Sequence, residues 1–121
     1  MELIAFLGAG KGTWGQVAGV INQGDWENII LIGNDFAKRF TVDKDFEFIE
    51  TTTSGIVDLK EELLKKFAGK IKGTEVALSI ASGDGKEHMA LISALLNLPV
   101  GIRFTALTKD GIIFMWCSAG A

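Results

Sequence analysis

Two glycine-rich loops, each joining an apolar run to a segment of helical period, constrain this chain more than any other feature. They read Gly8-Ala9-Gly10-Lys11-Gly12-Thr13-Trp14-Gly15 and Ser82-Gly83-Asp84-Gly85-Lys86. Glycine admits positive φ and a close approach to the main chain, and the first amides of a following helix favour an anion. An apolar strand, a glycine loop and a helix make up one βα step, and here the step occurs twice. The pattern predicts a scaffold that holds a phosphate-bearing ligand.

The order of segments along the chain extends this reading. Leu3 to Leu7 is continuously apolar, as in a strand buried on both faces. From Thr13 onward Trp14, Val17, Ala18 and Ile21 recur at helical spacing as far as Gly24. Asn28 to Ile32 repeats the buried-strand pattern, Asp35 to Phe40 suits a short helical segment, and Phe46 to Ile49 suits a third strand. The polar stretch Thr51-Thr52-Thr53-Ser54-Gly55 suits a cap for a helix whose stripe is Ile56, Leu59, Leu63 and Phe67. Lys65, Lys66 and Lys70 lie at its end, where they complement the helix dipole. Glu75 to Ile80 reads as a fourth strand and Lys86 to Leu98 as a third long helix, before the single proline, Pro99. Ile102 to Leu107 and Ile112 to Trp116 flank Lys109-Asp110-Gly111, and Asp-Gly between apolar runs marks a hairpin.

These elements predict one α/β domain over residues 1–121, a doubly wound, mostly parallel Rossmann-like sheet of about six strands with a C-terminal antiparallel hairpin. With strand order 3-2-1-4-5 and the last strand at an edge, strands one and four are neighbours at the topological switch point. Both glycine loops then face one crevice.

Composition narrows the function. With 121 residues, 48% of them hydrophobic, the chain has room for a core and one site, but not for separate cofactor and substrate domains. A net charge of -3 argues against duplex nucleic acid as a partner. The only cysteine, Cys117, and the only histidine, His88, provide neither a disulfide nor a zinc or His-cluster site, so no metal and no cofactor is expected. Met1 to Leu7 has no basic n-region, its apolar run stops at Gly8, and no run reaches the roughly 18 residues of a membrane span. The expectation is a cytoplasmic protein with no membrane partner.

Gly10-x-Gly12-x-x-Gly15, with Asp35 about 20 residues on, fits the dinucleotide-binding fingerprint, in which the acid accepts from ribose. A small dinucleotide- or nucleotide-binding subunit is therefore one reading. The P-loop pattern is not met: Gly12 follows Gly10-Lys11 where Ser or Thr belongs, and Ala5 stands at the first glycine. A third reading is an assembly subunit whose loops bind nothing. Several residues have two roles available: Trp14 suits a stacking platform for adenine or the start of the apolar stripe of its helix, Asp35 suits a ribose acceptor or a cap of the short segment after it, and His88 suits an acid or base or a surface or interface residue, while Cys117 suits a core.

Ser82-Gly83-Asp84-Gly85-Lys86-Glu87-His88-Met89 resembles the loop and helix start of the CARF (CRISPR-associated Rossmann fold) family, whose pattern is Thr/Ser-Gly-Gly-Thr-Lys followed by a methionine. Asp84 replaces the second glycine of that pattern and Gly85 its threonine. The resemblance extends over nearly the whole chain in element order, as far as the hairpin Gly101 to Cys117. It implies a stand-alone sensor or regulator of CRISPR antiviral signalling that binds a cyclic oligoadenylate across a twofold homodimer. Carried over by position, Ser82, Gly83, Gly85 and Lys86 would contact ribose or phosphate, with Asp84 beside them and Gly8, Gly10, Lys11, Gly12 and Thr13 on the facing loop. Some members cleave the ring. Such a ring nuclease needs no metal if the substrate's own 2′-hydroxyl attacks in line while Lys86, the candidate catalytic group, and backbone amides steady the phosphate.

The segment Lys86 to Leu98 is apolar on more than one side, with Met89, Ile92 and Leu96 on one line and Leu91, Leu95 and Leu98 on another. A helix covering only a sheet does not need that breadth, so part of it is expected at a homodimer interface.

Overall fold

A computed structural model describes residues 1–115 apart from the Lys11 side chain, so the expectations for Lys11, Trp116 and Cys117 side chains lie outside the described residues. The elements are β1 (Glu2–Leu7), α1 (Trp14–Gln23), β2 (Asn28–Gly33), β3 (Glu47–Glu50), α2 (Ile56–Phe67), β4 (Glu75–Ser79), α3 (Gly85–Leu96), β5 (Gly101–Thr108) and β6 (Gly111–Met115). Single 3₁₀ turns cover Lys11–Thr13 and Asp35–Arg39. One sheet takes the order β3-β2-β1-β4-β5-β6, parallel throughout except for the antiparallel pair β5 and β6. The fold is the doubly wound, Rossmann-like sheet that the alternating runs predict.

Alternation along the strands divides the core into two layers. Ile4, Phe6, Ile30, Ile32, Val76 and Leu78 point to the face covered by α2 and α3, where they meet Leu59, Leu63, Phe67, Leu91 and Leu95. Leu3, Ala5, Leu7, Ile29 and Leu31 point to the other face, against Trp14, Val17 and Ile21 of α1. Each fully buried aliphatic or aromatic side chain in these layers contributes about 1.5–3 kcal/mol. The buried strands β1, β2 and β4 are therefore the framework from which the loops at their carboxyl ends are hung.

Two local expectations change. The hydroxyls of Thr51 to Ser54 do not cap α2, whose N-cap is Gly55 with no side-chain bond. Thr52 and Thr53 instead donate through both backbone amide and hydroxyl to the Glu62 carboxylate, 2.7–3.1 Å away, because Glu62 on α2 reaches back over the loop. Ile56, expected on the buried stripe, is 40% exposed at the first position of α2, and the stripe is buried from Leu59 onward.

Candidate functional site

The pairing of β1 with β4 runs from Glu2 opposite Val76 to Ala5 opposite Ser79, so the two glycine loops leave the sheet side by side. They interlock through backbone. A Cβ added to Gly8 would lie 2.7 Å from both N and Cα of Gly83, and Gly83 holds φ at +102°, so a side chain at Gly8 would force the loops apart and one at Gly83 would be strained. Ser82, completely buried, ties the pair: its Oγ accepts from the Gly8 amide at 2.9 Å and lies 2.8 Å from the Thr13 hydroxyl.

Two larger side chains brace the same junction. Trp14 Nε1 donates to the Gly8 carbonyl at 2.9 Å, while its ring packs 5.6 Å from Phe36 and 6.0 Å from Phe40, centroid to centroid. His88 Nε2 lies 2.7 Å from the Ser82 carbonyl, which can only accept, so Nε2 carries the proton. Trp14 is thus core and brace, and the accounted role of His88 is to fix the second loop.

Between the loops opens a cleft of about 450 Å³ lined by Gly8, Ala9, Gly10, Gly12, Thr13, Gly83, Asp84 and Glu87. That volume is within the roughly 300–1,000 Å³ usual for ligand pockets. Of the residues expected to bind, Gly8, Gly10, Gly12, Thr13, Gly83 and Asp84 line it. Ser82 lies beneath the loop surface with its Oγ engaged by protein partners. Lys86, the candidate catalytic group, lines a neighbouring cleft of about 280 Å³ with Asn34, Thr51, Thr52, Thr53, Ser54 and Leu59. Gly85 lines neither. Asp84 and Glu87 form the wall common to both.

The two helix starts differ electrically. Asp84 Oδ1 accepts from the Glu87 amide at 2.8 Å and Glu87 Oε1 accepts from the Asp84 amide at 2.9 Å, a reciprocal capping box that supplies α3 with its own carboxylates. α1 continues directly from the 3₁₀ turn Lys11–Thr13; neither the turn nor the first turn of α1 carries an acid, and α1 has no side-chain cap, so the helical start beside Gly12 and Thr13 keeps its partial positive charge. An anion therefore meets the attractive end of the crevice at the first loop, the reverse of the weight that the Ser-Gly-Asp-Gly-Lys pattern puts on the second. Glu87, which the motif carries without an assigned role, and the Thr51 to Ser54 segment, which lies outside it, also line these clefts.

The dinucleotide fingerprint finds less support. Its third glycine serves where helix and strand must pack closely, yet a Cβ at Gly15 would meet nothing within 4 Å. Asp35 neither caps the 3₁₀ turn, where Asn34 Oδ1 accepts from the Ala37 amide, nor stands alone, being 3.4 Å from Lys38 Nζ.

The Thr52 and Thr53 side of the Lys86 cleft is held by the Glu62 carboxylate. Burial raises the Glu62 pKa, but donation from Lys66 at 2.8 Å and from Thr53 and Thr52 outweighs it and holds the carboxyl down at about 2. Lys66 also donates to the Glu50 carbonyl, so it is a structural cation rather than a solvated one. Among the described residues no group of three or more His, Cys, Asp or Glu side chains is placed to hold a metal ion, and no helix is long and apolar enough to cross a membrane. No protein-family model matches the sequence, and no curated protein matches it.

Proposed function

We propose that the chain is a nucleotide-binding sensor domain, CARF-like in kind, that takes a cyclic oligoadenylate or another phosphate-bearing nucleotide into the crevice between the glycine loops. One observation carries the reading: Gly10 and Gly12 line that crevice beside an uncapped helix start, although neither has positive φ and a Cβ on either would meet nothing within 4 Å. The fold does not demand glycine there, whereas a phosphate approaching the backbone does. Phosphate binds at the backbone of the first loop and its 3₁₀ turn, which Thr13 holds in place through its hydroxyl contacts with Ser82 Oγ and the Gly10 carbonyl.

A second copy of the chain completes the proposal. Phe104, Ala106 and Met115 border an apolar groove with Ile80 and Ala81, and Met89 and Leu96 stand out from α3 on the same side of the sheet. Ile80, Met89, Leu96, Ile113 and Met115 are 40 to 69% exposed, which offers on the order of 500 Å² of apolar surface against the roughly 800 Å² per partner of a standard interface. The groove residues carry no charge, so contact there brings no like charges together. Ring cleavage would use the ligand's own 2′-hydroxyl.

Titration calorimetry with cyclic tetra-adenylate, cyclic hexa-adenylate and NAD tests the reading. Micromolar or tighter binding of an oligoadenylate is expected, with at least a tenfold loss in Gly12→Val at unchanged melting temperature. A wild-type chain that binds none of the three, or a Gly12→Val chain that binds as wild type, overturns it.

A further inference from the structure

The cleft beside the crevice has a polar group that the fold leaves unused. Thr51 is 8% exposed and lines the cleft, its amide donates to the Gly33 carbonyl at 2.8 Å, and its hydroxyl has no hydrogen-bond partner among the described residues. The hydroxyl oxygen itself is not enclosed by protein, so it opens into the cleft, where water or a ligand can meet it. Its neighbours Thr52 and Thr53 are both committed to Glu62, so the loop that carries Thr51 is pinned in place.

Two further donors converge there. Lys86 forms no ion pair among the described residues, and Asn34 spends its Oδ1 on the Ala37 amide, which leaves its Nδ2 to donate. Acceptors border the same cleft, since Asp84 and Glu87 each use one carboxylate oxygen in the helix cap and keep the other. One ammonium with neutral donors suits a single phosphate, and carboxylate oxygens suit ribose hydroxyls. Two carboxylates against one lysine disfavour a polyphosphate. At about 280 Å³ the cleft lies at the lower limit for ligand pockets, the size for one sugar-phosphate unit.

We propose that this cleft, built by Thr51, Asn34 and Lys86, is a second subsite that holds the sugar-phosphate of a nucleotide unit linked to the one in the glycine crevice. The inference rests on the nucleotide reading above, and the wall shared through Asp84 and Glu87 makes the two subsites adjacent. A ligand with two linked units gains from both, because the second contact is made at high effective concentration.

Calorimetry with AMP, 5′-phosphorylated linear diadenylate and inorganic phosphate distinguishes the outcomes. Wild type is expected to bind the diadenylate at least tenfold more tightly than AMP. Thr51→Val, which keeps the shape and removes the hydroxyl, and Lys86→Ala are each expected to weaken the diadenylate about 3- to 10-fold while leaving AMP unchanged; Thr51→Ser restores wild-type binding and excludes a folding defect. Equal losses for both ligands, or no advantage of the diadenylate over AMP, overturn the second subsite and leave the crevice reading in place. Phosphate that competes with AMP as strongly as with the diadenylate and loses nothing in either variant also overturns it. A wild-type chain that binds neither nucleotide removes both readings.

Discussion

The two ends of the sheet use similar residues to different effect. β1, β2 and β4 are apolar and buried along almost their whole length, and their neighbours cover them from both faces. β5 and β6 are as rich in Ile, Phe, Leu and Met, yet only Thr105 among their residues is buried. On the α1 face β6 is partly covered, with Phe114 edge-on to Trp26 at 6.2 Å. On the opposite face Ile113 and Met115 extend past α3. Hydrophobicity at the first end is folding energy, and at the second it is surface that can still be used.

The largest contrast lies in stability. Leu78→Ala, in the fully buried layer, is expected to cost about 2–5 kcal/mol through lost contact and a residual cavity, and Met115→Ala no more than about 0.5 kcal/mol in the monomer. Urea unfolding of both compares them directly, and equal losses would break the distinction between the two ends.

The second test asks what the exposed end is for. Light scattering is expected to give twice the 13.0 kDa of one chain at micromolar concentration. Met115→Glu places a charge in the apolar contact and is expected to weaken association by on the order of 3 kcal/mol, roughly a hundredfold. A wild-type monomer at all accessible concentrations would sink the homodimer.

A charge sharpens the comparison at the covered end. Glu62 titrates at about 2 in the folded chain against an ordinary 4.5, so its contribution is present above pH 4.5 and is lost as pH falls from 4.5 through 2. Glu62→Gln is expected to lower stability by about 2 kcal/mol at pH 7 and to flatten this part of the acid limb. An acid limb of unchanged slope in the variant contradicts the assignment.

The smallest effect separates folding from binding. Lys86→Ala and Lys65→Ala each remove one exposed positive charge and are expected to change stability by less than about 0.5 kcal/mol. Only Lys86→Ala should weaken a nucleotide with two linked units. Lys65 is the proper control because Lys66 is tied to Glu62 and Glu50. Equal binding losses in both variants would mean that attraction is diffuse.

What was legible in the sequence follows from range. Leu3 to Leu7 and Ile29 to Ile32 announce buried strands because the apolar run is itself the cause, and glycine loops after the first and fourth runs place a crevice at the switch point. The spacing of Asp84 and Glu87 already has the form of a capping box, yet the lysine two residues after Asp84 draws attention to phosphate instead. Other features depend on partners far apart in the chain. Nothing near Thr52 and Thr53 indicates that Glu62 will take their hydroxyls, and nothing near Ser82 indicates that Gly8 will. The breadth of the apolar surface on Lys86 to Leu98 indicates that part of it lies uncovered, but hydrophobicity alone does not say that Met89 and Leu96, rather than Leu91 and Leu95, are the exposed side chains.

The Gly8 to Ser82 tie spans 74 residues, and its consequence concerns the order of events during synthesis. β1 can pair with β2 as soon as both have emerged, but its other side must wait for β4, and the glycine loops cannot interlock until Ser82, Gly83 and the brace His88 have followed. A nascent chain that has folded only as far as β3 has half a sheet and no crevice. Binding of the proposed ligand in pulse-labelled chains would therefore time the closure of the β1 and β4 pair and report completed folding.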